Sequence, residues 1–310
     1  MNRCLNRPFA VAVALTVLGA IVALSVVPLE AQRFRRRTTL TAVRAAAESG
    51  DAQAQLELGS RYDTGEGVEQ DFAEAAAWYR RAAEQGHDEA QFNLGNMYDT
   101  GEGVLQDFAE AAVWYRQAAD QGHADAQFNL GYKYATGEGV AEDDAEAVAW
   151  YRQAAEQGHA SAQHSLGYQY DTGGGVAQDD AEAFAWYRRA AEQGLAEAQF
   201  SLGSLYANGE GVPQDDEEAV AWYRRAADQG NASAQSNLGL MYADGRGVDR
   251  DNVAAYMWLN LAATRLTGPQ RDIAVNTRVR VAAAMSRSDL VEAQRLAREW
   301  TPSEPDDSRR

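Results

Sequence analysis

Apolar positions in this chain follow two nested periods. Between residues 51 and 266 they fall every three or four residues, the spacing of one face of an α-helix. Ala54, Leu58 and Tyr62 form one such stripe, and Ala75, Trp78 and Ala82 form the next, with Tyr79 and Ala83 beside them. The whole pattern then returns every 36 residues: Trp78, Trp114, Trp150, Trp186, Trp222 and Trp258 keep that step, as do Tyr62, Tyr98, Tyr134, Tyr170, Tyr206 and Tyr242. A strict period of this length marks an array whose units are each too small to bury an apolar face alone.

One copy reads as two helices. The first runs from about Asp51 to Asp63; Gly65-Glu66-Gly67 ends it and Val68 plugs the corner. The second opens at Asp71, where Glu74 three residues on gives a capping-box start, and Gly86 stops it. The pair recurs at Asp107/Glu110, Asp143/Glu146, Asp179/Glu182 and Asp215/Glu218, whereas in the sixth copy Asp251 meets Ala254 and the box is expected to fail. Both ends of the stack are expected to be covered. Residues 38–50 match a lone second helix, and Leu259-Asn260-Leu261 adds apolar surface that helices over 270–284 and 287–300 would bury, the latter capped by Ser286.

The copies carry Ala90-Gln91, Leu94-Gly95, Tyr98, Gly101, Gly103-Val104, Ala111, Trp114-Tyr115, Ala118-Ala119 and Gly122 in register. This motif resembles the Sel-1-like repeat family, a branch of the tetratricopeptide superfamily. The resemblance implies an all-α, right-handed α-solenoid of six 36-residue helix-turn-helix repeats, with the first helices lining a concave groove. The expected organisation is a signal peptide or membrane anchor over 1–31, then a basic linker and capping helix over 32–50. Six repeats over 51–266, capping helices over 267–303 and a charged tail over 304–310 complete it.

The amino terminus carries its own signal. Phe9 to Leu29 is free of charge and follows Arg3 and Arg7, which fits a secretory signal ending near Ala31. The run is also long enough to cross a bilayer, and Arg33, Arg35, Arg36 and Arg37 behind it favour a retained anchor with a cytoplasmic body. Periplasmic or secreted placement is therefore expected, with an inner-membrane anchor as the alternative.

Charge narrows the partners. The chain has 28 basic and 46 acidic residues, a formal net charge of −18, and residues 51–264 hold 12 basic against 37 acidic. Nucleic acid is excluded as a partner, since affinity there comes from cations neutralising phosphate. The single cysteine, Cys4, precedes the repeats, so they contain no disulfide, no Cys-based zinc site and no thiol nucleophile. His87, His123 and His159 occupy one column, yet stacked helices lie about 8–10 Å apart, too far to share an ion held at about 2 Å. They read as helix starts, and His164, where neighbours have Phe92 and Phe128, reads as a core variant. Acidic loops such as 63–71 lack the ligand spacing of a calcium loop. Carboxylate pairs recur in nearly every copy, which marks architecture. No catalytic residue, metal or cofactor is assigned.

The variable columns remain. Positions 57, 60 and 61 of the first helix diverge between copies, and Asn93, Asn129, Tyr132, Lys133, Tyr168 and Gln169 are the candidates for a partner groove. Asn can bond a peptide backbone through both amide groups, and Tyr offers rigid area with a polar tip. The expected function is a non-enzymatic scaffold holding a protein or peptide, of basic character given the acidic repeats. The alternatives are a membrane-anchored adaptor of an envelope or signalling complex and, from another class, a hydrolase or small-molecule binder.

Overall fold

The computed structural model describes residues 40–303. Cys4, the run Phe9–Leu29, the arginines at 33 and 35–37 and the tail 304–310 lie outside the described residues, and the signal, anchor and tail expectations lie there with them. Among the described residues every regular element is an α-helix. Residues 40–48 form α1. The pairs follow as α2 (Ala52–Thr64) and α3 (Phe72–Glu84), α4 (Asp88–Thr100) and α5 (Phe108–Asp120), α6 (Ala124–Thr136) and α7 (Asp144–Glu156). Next come α8 (Ala160–Thr172) and α9 (Asp180–Glu192), α10 (Ala196–Asn208) and α11 (Asp216–Asp228), α12 (Ala232–Asp244) and α13 (Asn252–Arg265), before α14 (Gly268–Ala283) and α15 (Arg287–Glu299). This is the α-solenoid that the period requires.

Contacts divide the chain after Ala82. The first unit has Ala47, Ala54, Leu58 and Trp78 at its core. In the second, α4 packs on α5, α6 on α7, and so on to α12 on α13, and each pair also meets the next.

Two glycines explain why the motif is so strict. A Cβ on Gly131 would lie 2.8 Å from the Tyr151 ring, so glycine is what lets the two helices of a copy close on the tyrosine. Gly139 has φ of +76°, and a Cβ there would lie 2.1 Å from the Phe108 carbonyl oxygen. The Gly-x-Gly loop of one copy therefore rests, backbone on backbone, against the second helix of the copy before it.

Polar groups finish the joints. Gln127 donates to the buried Ala119 carbonyl at 3.1 Å and accepts from Gln157, at the end of α7, at 2.7 Å, which ties three helices of two copies together. Asp107 accepts from the backbone N–H of Ala109 and Glu110 at 3.0 and 3.1 Å. Its own N–H donates to the Tyr98 carbonyl at 2.9 Å, so the glutamate of the expected box is not required. The sixth copy shows the consequence: without that glutamate, Asp251 still caps Val253 and Ala254 at 2.8 and 3.0 Å. The reciprocal box is absent in that copy, as expected, while the one-sided aspartate cap still forms.

At the carboxyl end α14 and α15 cover α13. Ser286 caps α15 by accepting from the Asp289 N–H at 3.1 Å, and Trp300 meets Trp258 edge-on at 6.2 Å.

Candidate functional site

The three variable columns part company in the structure. Column 61 is core: Met97, Leu205 and Met241 are buried, and so are Lys133 and Gln169, which the sequence placed in the groove. The reason is geometric. This position falls three residues after the buried leucine of each copy, Leu130 before Lys133 and Leu166 before Gln169, and so shares its face.

Lys133 is only 2% exposed and is held as a buried cation. Its Nζ contacts Asp99 of the preceding copy, donates to Glu138 Oε2 at 2.9 Å and lies 4.6 Å from the centre of the Phe108 ring. Burial alone would lower its pKa; the hydrogen bonds it donates to the two carboxylates outweigh that and raise it above 10.5. A lysine spent in this way has nothing to offer a partner.

Column 57 faces the joints. Asn93 and Asn129 are half-buried, and Asn129 donates to Asn96 Oδ1 at 3.4 Å, an oxygen that also accepts from Tyr115 at 2.7 Å. Column 60 is the open one. Tyr132 is 47% and Tyr168 55% exposed.

Those two tyrosines line a cleft of about 480 Å³ in copies three and four, together with His164, Ser165, Asp144 and Gly174; Gln169 reaches its wall. Of the six candidates, the structure thus brings Tyr132, Tyr168 and Gln169 to one place and leaves Asn93, Asn129 and Lys133 out of it. Tyr151 also lines the cleft and stays neutral: burial raises its phenol pKa, the Tyr132 hydroxyl adds to that, and a hydrogen bond with Ser165 opposes it. His164 is half-buried against Tyr187 at 5.3 Å, with Nε2 3.3 Å from Ser201 Oγ. Burial lowers its pKa, and the weaker pull of Glu197 opposes this.

Sequence reasoning missed Asp144, Gly174 and Ser165. One signal was available: Gly174 interrupts a column that otherwise reads Glu66, Glu102, Glu138, Glu210 and Arg246.

The histidine column starts helices, as expected. His123 and His159 accept through Nδ1 from the N–H of Ala126 and Ala162 at 3.3 and 3.1 Å and stack on Phe92 and Phe128. Their Nε2 atoms lie 3.2 and 3.1 Å from Glu89 and Asp125, so both ring nitrogens are occupied by protein. Among the described residues no group of three or more His, Cys, Asp or Glu is placed to hold a metal ion, and no helix is long and apolar enough to cross a membrane.

Known proteins fall in line with this architecture. The Sel1 repeat model matches residues 52–87, 88–123, 124–159, 160–195, 196–231 and 232–265. A Sel1 repeat protein from Oxalobacter formigenes is 36% identical, with a TM-score of 0.64, over 77% of this chain and 98% of that one. The protective antigen c5321 of uropathogenic Escherichia coli, which displays an SLR fold, is 33% identical with a TM-score of 0.60 over 84% of this chain. This chain spans 63% of the length of that antigen. No curated protein matches. Six consecutive units, each built on the same buried Ala, Leu and Gly positions, place the chain in the Sel1 repeat family.

Proposed function

We propose that the chain is a non-enzymatic, exported scaffold that holds a protein or peptide segment in the cleft of copies three and four. Sel1-repeat proteins are generally protein-interaction scaffolds. The observation that carries the reading is the exposure of Tyr132 and Tyr168 in one cleft, whereas the repeat tryptophans and the other tyrosines among the described residues are buried or half-buried. Rigid aromatic area beside a polar tip is the composition of binding anchors. The excess of acidic side chains over 51–264 favours a basic partner and faster association at low salt.

The test is the pair Tyr132→Ala and Tyr168→Ala on a partner isolated from the native host. Each change should weaken binding by about 1–2 kcal/mol with helicity intact. Unchanged binding by the double variant refutes the cleft. A second reading, the membrane-anchored adaptor, is favoured by Arg33 and Arg35–Arg37 behind the apolar run. Amino-terminal sequencing separates the two: a start near residue 32 supports release, and an intact Met1 in the membrane fraction supports the anchor.

A further inference from the structure

The array contains a filled version of its own open cleft. In the sixth copy the middle residue of the Gly-x-Gly loop is Arg246, whose guanidinium forks onto Asp216, the first residue of α11. Nη2 lies 2.6 Å from Oδ1 and Nε 3.3 Å from Oδ2. The loop is seated by Gly247, at which a Cβ would lie 2.0 Å from the Asp216 carbonyl oxygen.

Two copies earlier the same seat exists without the side chain. Asp144 begins α7 as Asp216 begins α11. Gly175 rests on Asp144 as Gly247 rests on Asp216, with a Cβ position 2.2 Å from the carbonyl oxygen and φ of +66° against +62°. The residue in the place of Arg246 is Gly174, and the cleft opens there, between Asp144 and Gly174. Among the described residues no basic side chain pairs with Asp144, whereas its counterpart Asp216 is paired. The walls differ too: Ser204 and Leu240 beside the filled seat correspond to Tyr132 and Tyr168 beside the open one.

We propose that this cleft takes an arginine side chain from a protein or peptide partner, its guanidinium forked onto the Asp144 carboxylate and flanked by the rings of Tyr132 and Tyr168. The inference rests on the cleft being where a partner segment binds, and it names the residue that segment must bring. Arginine fits better than lysine because the seat is shaped for a planar fork on a carboxylate, which a point charge does not match. Aromatic faces beside a desolvated cation add to the attraction. The chain already uses such pairings, with the Arg189 and Arg225 guanidinium groups 4.3 and 4.2 Å from the Trp186 and Trp222 ring centres.

The test uses the full-length protein with carbon-13-labelled tyrosine rings and three peptides: acetyl-Gly-Gly-Arg-Gly-Gly-amide and its lysine and citrulline versions. The arginine peptide should shift the Tyr132 and Tyr168 signals saturably. The lysine version should bind about fivefold more weakly, and the neutral citrulline version should leave the signals in place. Asp144→Asn should weaken the arginine peptide by about tenfold, because one charged acceptor of the fork is lost.

Gly174→Arg should abolish the response, since the new side chain occupies the seat as Arg246 does; the atom it meets is the far end of the Gln169 side chain, which can turn away. If that variant does not keep the native helicity, Asp144→Asn decides alone. Equal responses to arginine and citrulline, or an unchanged affinity in Asp144→Asn, overturn the proposal while leaving segment binding intact. Silence with all three peptides also overturns it, and the tyrosine double variant then judges the broader reading separately.

Discussion

Lys133 separates what its chemistry suggests from what its position imposes. A lysine on a solvated groove could be changed to alanine or methionine with little effect on stability. The structure buries it instead, with a side chain 3% exposed between Asp99 and Glu138, which are 27% and 41% exposed. Lys133→Ala removes three buried methylenes at about 0.8 kcal/mol each and leaves a hole, so a loss of about 2–3 kcal/mol is expected. Lys133→Met refills the volume with the residue found at Met97 and Met241, and it abolishes the desolvation of a buried cation. Water can reach the carboxylates left behind, so this variant should stay within about 1 kcal/mol of the parent. For a unit of this size the two variants should melt about 5–10 °C apart, as followed by circular dichroism at neutral pH. Equal melting of the parent, Lys133→Ala and Lys133→Met would refute the buried cation.

Other consequences are as direct. Because burial holds the His164 imidazole below its usual 6.5, the neutral ring belongs to the fold; its contribution is complete above 6.5 and is lost as pH falls through the lower folded value. His164→Phe, the residue at Phe92 and Phe128, should therefore gain melting temperature relative to the parent as pH is lowered from about 7 to about 5, and a constant difference contradicts this. Gly131→Ala forces a methyl to 2.8 Å from the Tyr151 ring and should cost about 1–3 kcal/mol in urea unfolding; a neutral result would mean the ring can move aside. Deleting residues 123–158, one full period, should leave a shorter stack of unchanged mean helicity per residue, and collapse to coil would show that the copies are not interchangeable.

Most of the fold was legible because its determinants are local. Helix ends were marked by glycines that adopt positive φ, such as Gly137 and Gly173, and by aspartates that cap, so boundaries fell within a residue or two. The site was less legible because its determinants cross copies. Lys133 looks solvent-facing until Asp99, 34 residues away, is placed against it. Likewise the missing side chain at Gly174 was visible in its column, but only the backbone shows that Asp144 of the preceding copy lies beside it. Position 61 was misread because polar identity at Lys133 and Gln169 obscured a spacing of three from the buried leucines.

The most direct measurement is site-specific photo-crosslinking in the native host, with a photoreactive phenylalanine at position 168 and, as control, at position 113, where Val113 is 50% exposed on α5. If the cleft holds a partner segment, position 168 yields a discrete adduct whose crosslinked peptide contains arginine, the adduct is lost on adding Tyr132→Ala, and position 113 yields none. The same adduct at both positions, or one indifferent to Tyr132→Ala, would contradict the cleft as the binding site.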